Sequence, residues 1–195
     1  MKTDDVITLV IGFITGIITS LIANWIQNRI AKRKEYLLYS KLSGKWVERI
    51  QGQEGRRFSI ADFTYNEDVN SFRYNGINYK DNSEKHYRWQ SETIFKDTLN
   101  NRILYIYSVF EDGGYHIVKD GFGVSYFNDN CDFTHGYFID ANSTTNIRNI
   151  EYIRIETLAK KHSYDLDDKA PDKISKFIKF LVDFEDRNNR NCFYP

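Results

Sequence analysis

The sequence predicts an all-β fold: about eight antiparallel strands closing into an up-and-down barrel, with a transmembrane helix before it and an amphipathic helix after it. Three observations predict this. From Leu42 onward, short runs rich in Tyr, Phe, Ile, Val and Trp alternate with Asn, Asp and Gly turns, the pattern of consecutive strands. The connections between runs are four or five residues long, too short for helical crossovers, so neighbours pair antiparallel. Even spacing without a long crossover suits a barrel or a two-sheet sandwich, and closure removes the exposed edges a strand-only domain must protect.

Residues 1–40 are read as a membrane helix and a basic stalk. Val6 to Ile26 is a run of 21 residues without a charge, and about 20 apolar residues cross a hydrocarbon core of roughly 30 Å. A cleavable signal peptide is the competing reading. It is disfavoured because only Lys2 is basic ahead of the run, Asp4 and Asp5 are acidic, and the run outlasts a usual signal core. Arg29, Lys32, Arg33 and Lys34 follow the run, so the positive-inside bias puts everything after residue 30 in the cytoplasm and the N-terminus outside. Residues 27–40 lack Gly and Pro and continue the helix. Thr8, Gly12, Gly16, Ser20 and Asn24 recur every four positions. Small side chains let two helix backbones approach closely, so Gly12, Gly16 and Ser20 are the candidate helix-association face of a homo-oligomer.

Residues 41–158 are the barrel. The strands are expected at 45–51, 58–65, 72–79, 86–95, 102–110, 115–119 with 122–127, 136–140 and 147–156. Asp112-Gly113-Gly114 is a strong hairpin signal. In the fourth strand Tyr87, Trp89, Thr93 and Phe95 share one face, and His86, Arg88, Gln90 and Glu92 the other. The fifth strand is apolar on both faces, so something is expected to cover its outside.

Residues 159–195 supply the candidate cover. Pro171 suits a first helical turn, and Ile174, Phe177, Ile178, Leu181 and Val182 then recur at helical spacing opposite Asp172, Lys173, Lys176, Lys179 and Asp183. That polar face mixes both signs, which favours a helix packed on the barrel over one lying on a membrane surface.

Composition excludes several classes. The 195 residues carry 27 basic and 27 acidic side chains, which argues against a generic polyanion or DNA binder. Two cysteines cannot build a disulfide framework or a Cys-rich zinc site, in keeping with a reducing compartment. His86, His116, His135 and His162 form no metal-binding pair, and no metal or other cofactor is expected. There is no P-loop, nucleophile elbow or dinucleotide turn. Residues 128–132 lack the Gly and Glu of a calcium loop and read as a polar turn, and Asn142-Ser143-Thr144 is a glycosylation sequon without meaning in the cytosol. Asp129, Asp132 and Asp140 are scattered strand-end carboxylates. No enzyme is expected.

What remains is cations beside aromatics: Arg73-Tyr74, Arg88-Trp89, Arg102 near Tyr105 and Tyr107, and Tyr152 near Arg154. Guanidinium binds phosphate bidentately and rings stack on bases, so the pattern suits a nucleotide. The candidate ligand-binding residues are Tyr74, Arg88, Trp89, Tyr105, Tyr107 and Arg154. Taken singly, each aromatic is better explained as core and each arginine as a solvated outer residue, and only a barrel too wide to fill or an oligomeric groove favours the ligand reading.

The anchor, the basic stalk, Leu42-Ser43-Gly44-Lys45-Trp46 opening a strand, the run from Gly121 to Phe127 and Gly136-Tyr-Phe-Ile-Asp140 together resemble a known family. They are similar to the small transmembrane β-barrel effectors of bacterial cyclic-oligonucleotide anti-phage signalling (CBASS; the SMODS-associating two-TM, β-strand-rich family). The resemblance covers nearly the whole chain. It implies a cytosolic barrel that senses a cyclic dinucleotide, assembles, and disrupts the lipid bilayer of the inner membrane to kill the infected cell. The family pattern has two membrane helices, whereas one span is found here. Gly44 and Trp46 also match the G-x-W opening of lipocalins, where the Trp closes one barrel end. The rival expectations are a membrane-tethered scaffold for a protein partner and a secreted lipocalin-like carrier cleaved near Ala23.

Overall fold

The computed structural model describes residues 3–53, 55–66, 71–111, 113–114, 116–141, 147–166 and 171–194, without the side chains of 3–10, 34, 38, 92, 93, 98 and 171. It divides into two units, 1–39 and 40–195. Asp112 of the hairpin signal and the sequon at 142–144 lie outside the described residues.

The first unit is helical. Helix α1 (Thr3–Leu42) has 40 residues, about 60 Å at the usual rise. It runs unbroken through the basic stalk, as the lack of Gly and Pro after Gln27 predicts. Every side chain from Ile11 to Arg33 is exposed. The hydroxyls of Thr15 and Thr19 donate to the carbonyls of Ile11 and Thr15, each at 2.8 Å, so these polar groups are satisfied inside the helix. Among the described residues no helix is long and apolar enough to cross a membrane. The side chains of 6–10, which open the charge-free run, lie outside that description.

The second unit is a closed barrel of eight strands in sequence order: β1 (Gly44–Ile50), β2 (Phe58–Asn66), β3 (Ser71–Tyr79), β4 (Lys85–Asp97), β5 (Arg102–Glu111), β6 (Ile117–Phe127), β7 (Phe133–Asp140) and β8 (Ile147–Arg154). Every neighbouring pair is antiparallel, and β8 closes on β1 through the register Val47↔Ile153 and Glu48↔Tyr152. Alternation puts Trp46, Glu48 and Ile50 inside and Val47 and Arg49 outside, and closure leaves no edge unpaired.

Three expectations are corrected. The sixth strand is continuous through Asp120-Gly121. The eighth ends at Arg154, and Ile155 and Glu156, expected within it, open helix α2 (Ile155–Lys161). In β4 a register shift between Ser91 and Thr93 moves the later residues to the other face, so Phe95 is 56% exposed although Trp89 points inward.

Helix α3 (Pro171–Asn188) forms as its spacing predicts. Phe177, Ile178 and Leu181 are fully buried against Val47, Phe58, Ile60 and Tyr79 on the outer faces of β1, β2 and β3, together with Ile155 and Leu158 of α2. Each such side chain is worth about 1.5–3 kcal/mol in apolar burial. The helix does not cover β5, where Ile106 stays 43% exposed. A clamp of charge fastens it: Glu185 accepts from Arg49 Nε at 2.8 Å and from the Cys192 amide at 3.1 Å, and Arg57 pairs with Asp81 at 3.0 Å and Asp186 at 2.9 Å.

Candidate functional site at the open end of the barrel

The two barrel ends differ. One is sealed by Trp46, 1% exposed, whose ring meets Phe133 edge-on at 5.0 Å and whose Nε1 donates to the Leu42 carbonyl at 3.0 Å. The Arg154 guanidinium lies 4.3 Å above that ring. It donates to Asp132 at 2.9 Å and to the carbonyls of Ser43 and Lys41.

The middle is packed with rings. Tyr74 meets Trp89 and Tyr105 edge-on, each at 4.9 Å. These rings lie flat because the facing strand offers glycine: a Cβ on Gly123 would fall inside the Tyr105 ring, and one on Gly76 inside the indole of Trp89. The polar tips converge on one acid. Glu48, 3% exposed, accepts from Tyr74 Oη at 2.7 Å, and Ser59 bonds it also. Tyr152 Oη bonds Ser125 Oγ at 2.7 Å, and Trp89 Nε1 donates to Ser59 Oγ at 3.2 Å. Burial outweighs these bonds and pushes the Glu48 carboxyl up to about 7, while Tyr74 and Tyr152 rise through burial first and the Glu48 charge among the further causes.

The other end is a half-open cup. Its walls are Tyr87, Trp89, Tyr105, Tyr107 and Phe138, Glu48 is its most buried acid, and Arg56 and Lys119 are its cations. Empty space including the open mouth is about 520 Å³, but only about 40 Å³ accepts water-sized occupants. Tyr107 Oη donates to Asp140 at 2.8 Å and Lys119 pairs with the same carboxylate at 2.8 Å. Burial and this acceptor raise the Tyr107 phenol. Arg56 lies 3.0 Å from the His86 ring and has no carboxylate partner among the described residues. Burial, then the Arg56 charge, lowers His86, so at neutral pH its ring serves as acceptor. Gln53 Oε1 is buried without a hydrogen-bond partner.

Of the six ligand residues expected from sequence, Trp89, Tyr105 and Tyr107 line the cup and Tyr74 packs beneath it. Arg88 is exposed on the outer wall, 5.4 Å over the Phe110 ring. Arg154 is at the sealed end. Sequence reasoning missed Glu48, Arg56 and Lys119. A signal existed for the first: Glu48 shares strand parity with Trp46 and Ile50, which marks a carboxylate on an inward face. Gly12, Gly16 and Ser20 fall on one exposed stripe of α1, and a Cβ on either glycine would meet nothing within 4 Å. Among the described residues no group of acidic, Cys and His side chains is arranged to hold a metal.

The fold and cup define a class, a closed antiparallel barrel with one sealed and one open, cation-bearing end. Comparison with protein-family models, curated proteins and solved structures finds no match.

Proposed function

We propose that this chain is a non-enzymatic, membrane-anchored effector whose barrel senses a cyclic dinucleotide, as in the anti-phage family it resembles. The observation that carries the reading is the aromatic-walled cup with Arg56 and Lys119 among its lining. In this reading one base enters beside Trp89 and Tyr107 by widening a cup of about 40 Å³, with the sugar-phosphate ring across the mouth and its charges toward Arg56 and Lys119. The 21-residue charge-free run and the exposed apolar side chains from Ile11 to Ile26 support a single-pass anchor in the inner membrane, with the N-terminus outside and the barrel in the cytoplasm. The stripe of Gly12, Gly16 and Ser20 supports assembly into a homo-oligomer that disrupts the bilayer. The test is calorimetric titration of the full chain in lipid nanodiscs with a panel of cyclic dinucleotides. Saturable heat from one member is expected, and silence from all removes the sensing role.

A second reading, a membrane-tethered scaffold for a protein partner, is favoured by one observation: rings fill the barrel's middle and leave only about 40 Å³ for water-sized occupants. Silence across the panel would favour it.

A further inference from the structure

We propose that Glu48 is the base-selecting residue of the cup, taking a nucleobase edge with two adjacent N–H donors, the guanine type, over the adenine type. The inference rests on the nucleotide reading above.

Glu48 lines the cup and is 3% exposed, yet no Lys or Arg pairs with it among the described residues. The polar groups around it are Tyr74 of β3 and Ser59 of β2, which bond it, and Tyr105 of β5 and Tyr152 of β8, which feel its charge, with Ser125 of β6 bonding Tyr152. The charged cup residues Arg56, Lys119 of β6 and Asp140 of β7 engage His86 or one another. Tyr74 and Ser59 take two of the roughly four lone-pair sites of a carboxylate. Glu48 is itself part of the cavity lining, and the remaining sites are assigned to the incoming base.

An ionised carboxylate accepts two parallel N–H bonds, which the N1–H and N2–H₂ of guanine supply together. Adenine offers one donor beside one lone pair on the same edge. Against an ionised Glu48 that lone pair faces another, and a buried unpaired polar group is what sites of this kind reject most strongly. A protonated Glu48 inverts the match, because its O–H can donate to adenine N1 while its carbonyl accepts from the amino group. With the carboxyl pushed up to about 7, the two forms exchange near neutrality, so the choice of base turns with pH. Arg56, with no carboxylate partner among the described residues, remains for phosphate, and Lys119 can add to it only by sharing its charge with Asp140.

The test is calorimetry on the full chain in lipid nanodiscs with cyclic di-GMP and cyclic di-AMP, at about pH 6 and about pH 8. At the higher pH the guanine ligand should bind about tenfold more tightly or better, and the preference should shrink or invert at the lower pH. Glu48→Gln, nearly isosteric, should lose the preference and its pH dependence while melting as a folded barrel. The wild-type pH series needs no variant and decides the matter if Glu48→Gln fails to fold. Equal affinities at both pH values, or a preference that Glu48→Gln leaves intact, overturn the inference and leave nucleotide sensing standing. Silence from cyclic di-GMP while another panel member binds also overturns it alone; silence from every member removes both.

Discussion

Replacing Glu48 by Gln tests whether a buried acid governs the stability of the barrel. Glu48 is buried under Tyr74 and Ser59 with no cation paired to it among the described residues, and its carboxyl moves from 4.5 to about 7 on folding. The folded state therefore holds a proton that the unfolded chain releases between those values. For a raised acid the stability is full below about 4.5 and is lost as pH rises through about 7. At about 1.4 kcal/mol per tenfold change in proton affinity, the loss is about 3 kcal/mol. Gln has nearly the same volume and a carbonyl that accepts from Tyr74, and it never ionises. Glu48→Gln should thus match wild type within about 1 kcal/mol near pH 4.5 and exceed it by about 3 kcal/mol above about pH 8. For a unit of this size that gap is about 6–12 °C in melting temperature. The assay is thermal melting of both proteins in detergent across that range, followed by tryptophan fluorescence, since Trp46 and Trp89 report the barrel interior. Other titrating groups cancel in the difference between the two curves. A flat difference would mean that Glu48 ionises in the folded barrel at no cost, and would overturn this prediction.

Other perturbations probe separate parts of the design. Gly123→Ala places a methyl inside the Tyr105 ring; overpacking of this kind costs about 1–3 kcal/mol, measurable by chemical denaturation, whereas Gly52→Ala meets no neighbour and carries only backbone strain. Glu185→Ala removes the acceptor that holds Arg49 and the Cys192 amide and should cost about 2 kcal/mol, with hydrogen exchange rising first along α3. Arg56→Ala and Lys119→Ala should each weaken nucleotide affinity about tenfold in calorimetry, while Arg88→Ala, on the outer wall, should change it less than about twofold; the opposite ranking would move the ligand outside the barrel. Replacing Gly12 and Gly16 by Leu should abolish crosslinked oligomers and toxicity on expression, and unchanged toxicity would count against assembly through that stripe.

The strands were legible because alternation and short polar turns leave few other folds for residues 41–158. What escaped has physical causes. Asp120-Gly121 resembles a turn, but Gly121 seats the ring of Tyr107 from the preceding strand, β5, which only a three-dimensional partner reveals. Ile155-Glu156 continues the apolar habit of Ile153, and a short run of that kind does not distinguish strand from helix. A register shift at Ser91/Thr93 leaves no mark in composition, so Phe95 was assigned the face of Trp89. The helical pattern of α3 was plain, but amphipathicity says that a helix packs and not on which side, and it settled over β1 to β3 where Val47, Phe58 and Ile60 point outward. The site was half legible for a sharper reason. Arg88 and Trp89 are adjacent, and adjacent residues in a strand face opposite sides. A sequence neighbour of an inward ring is necessarily an outward cation, so the cations of the cup had to come from elsewhere, Arg56 after β1 and Lys119 near the start of β6.

That separation also assigns distinct work to the two barrel ends. Arg154 ties β8 to the chain entering β1 through the Ser43 and Lys41 carbonyls, while Trp46 donates to the Leu42 carbonyl, so the sealed end uses Arg154 in closure. Among the described residues the open end keeps Arg56 without a carboxylate and Gln53 Oε1 without a donor. Rings seated over glycines divide the two, with Glu48 buried among them and lining the cup. A substitution at the sealed end should therefore lower stability without changing ligand affinity, while Glu48 must change both. Arg154→Ala and Glu48→Gln, measured side by side by melting and by titration, separate the residues that hold the barrel shut from the one that connects its core to its mouth.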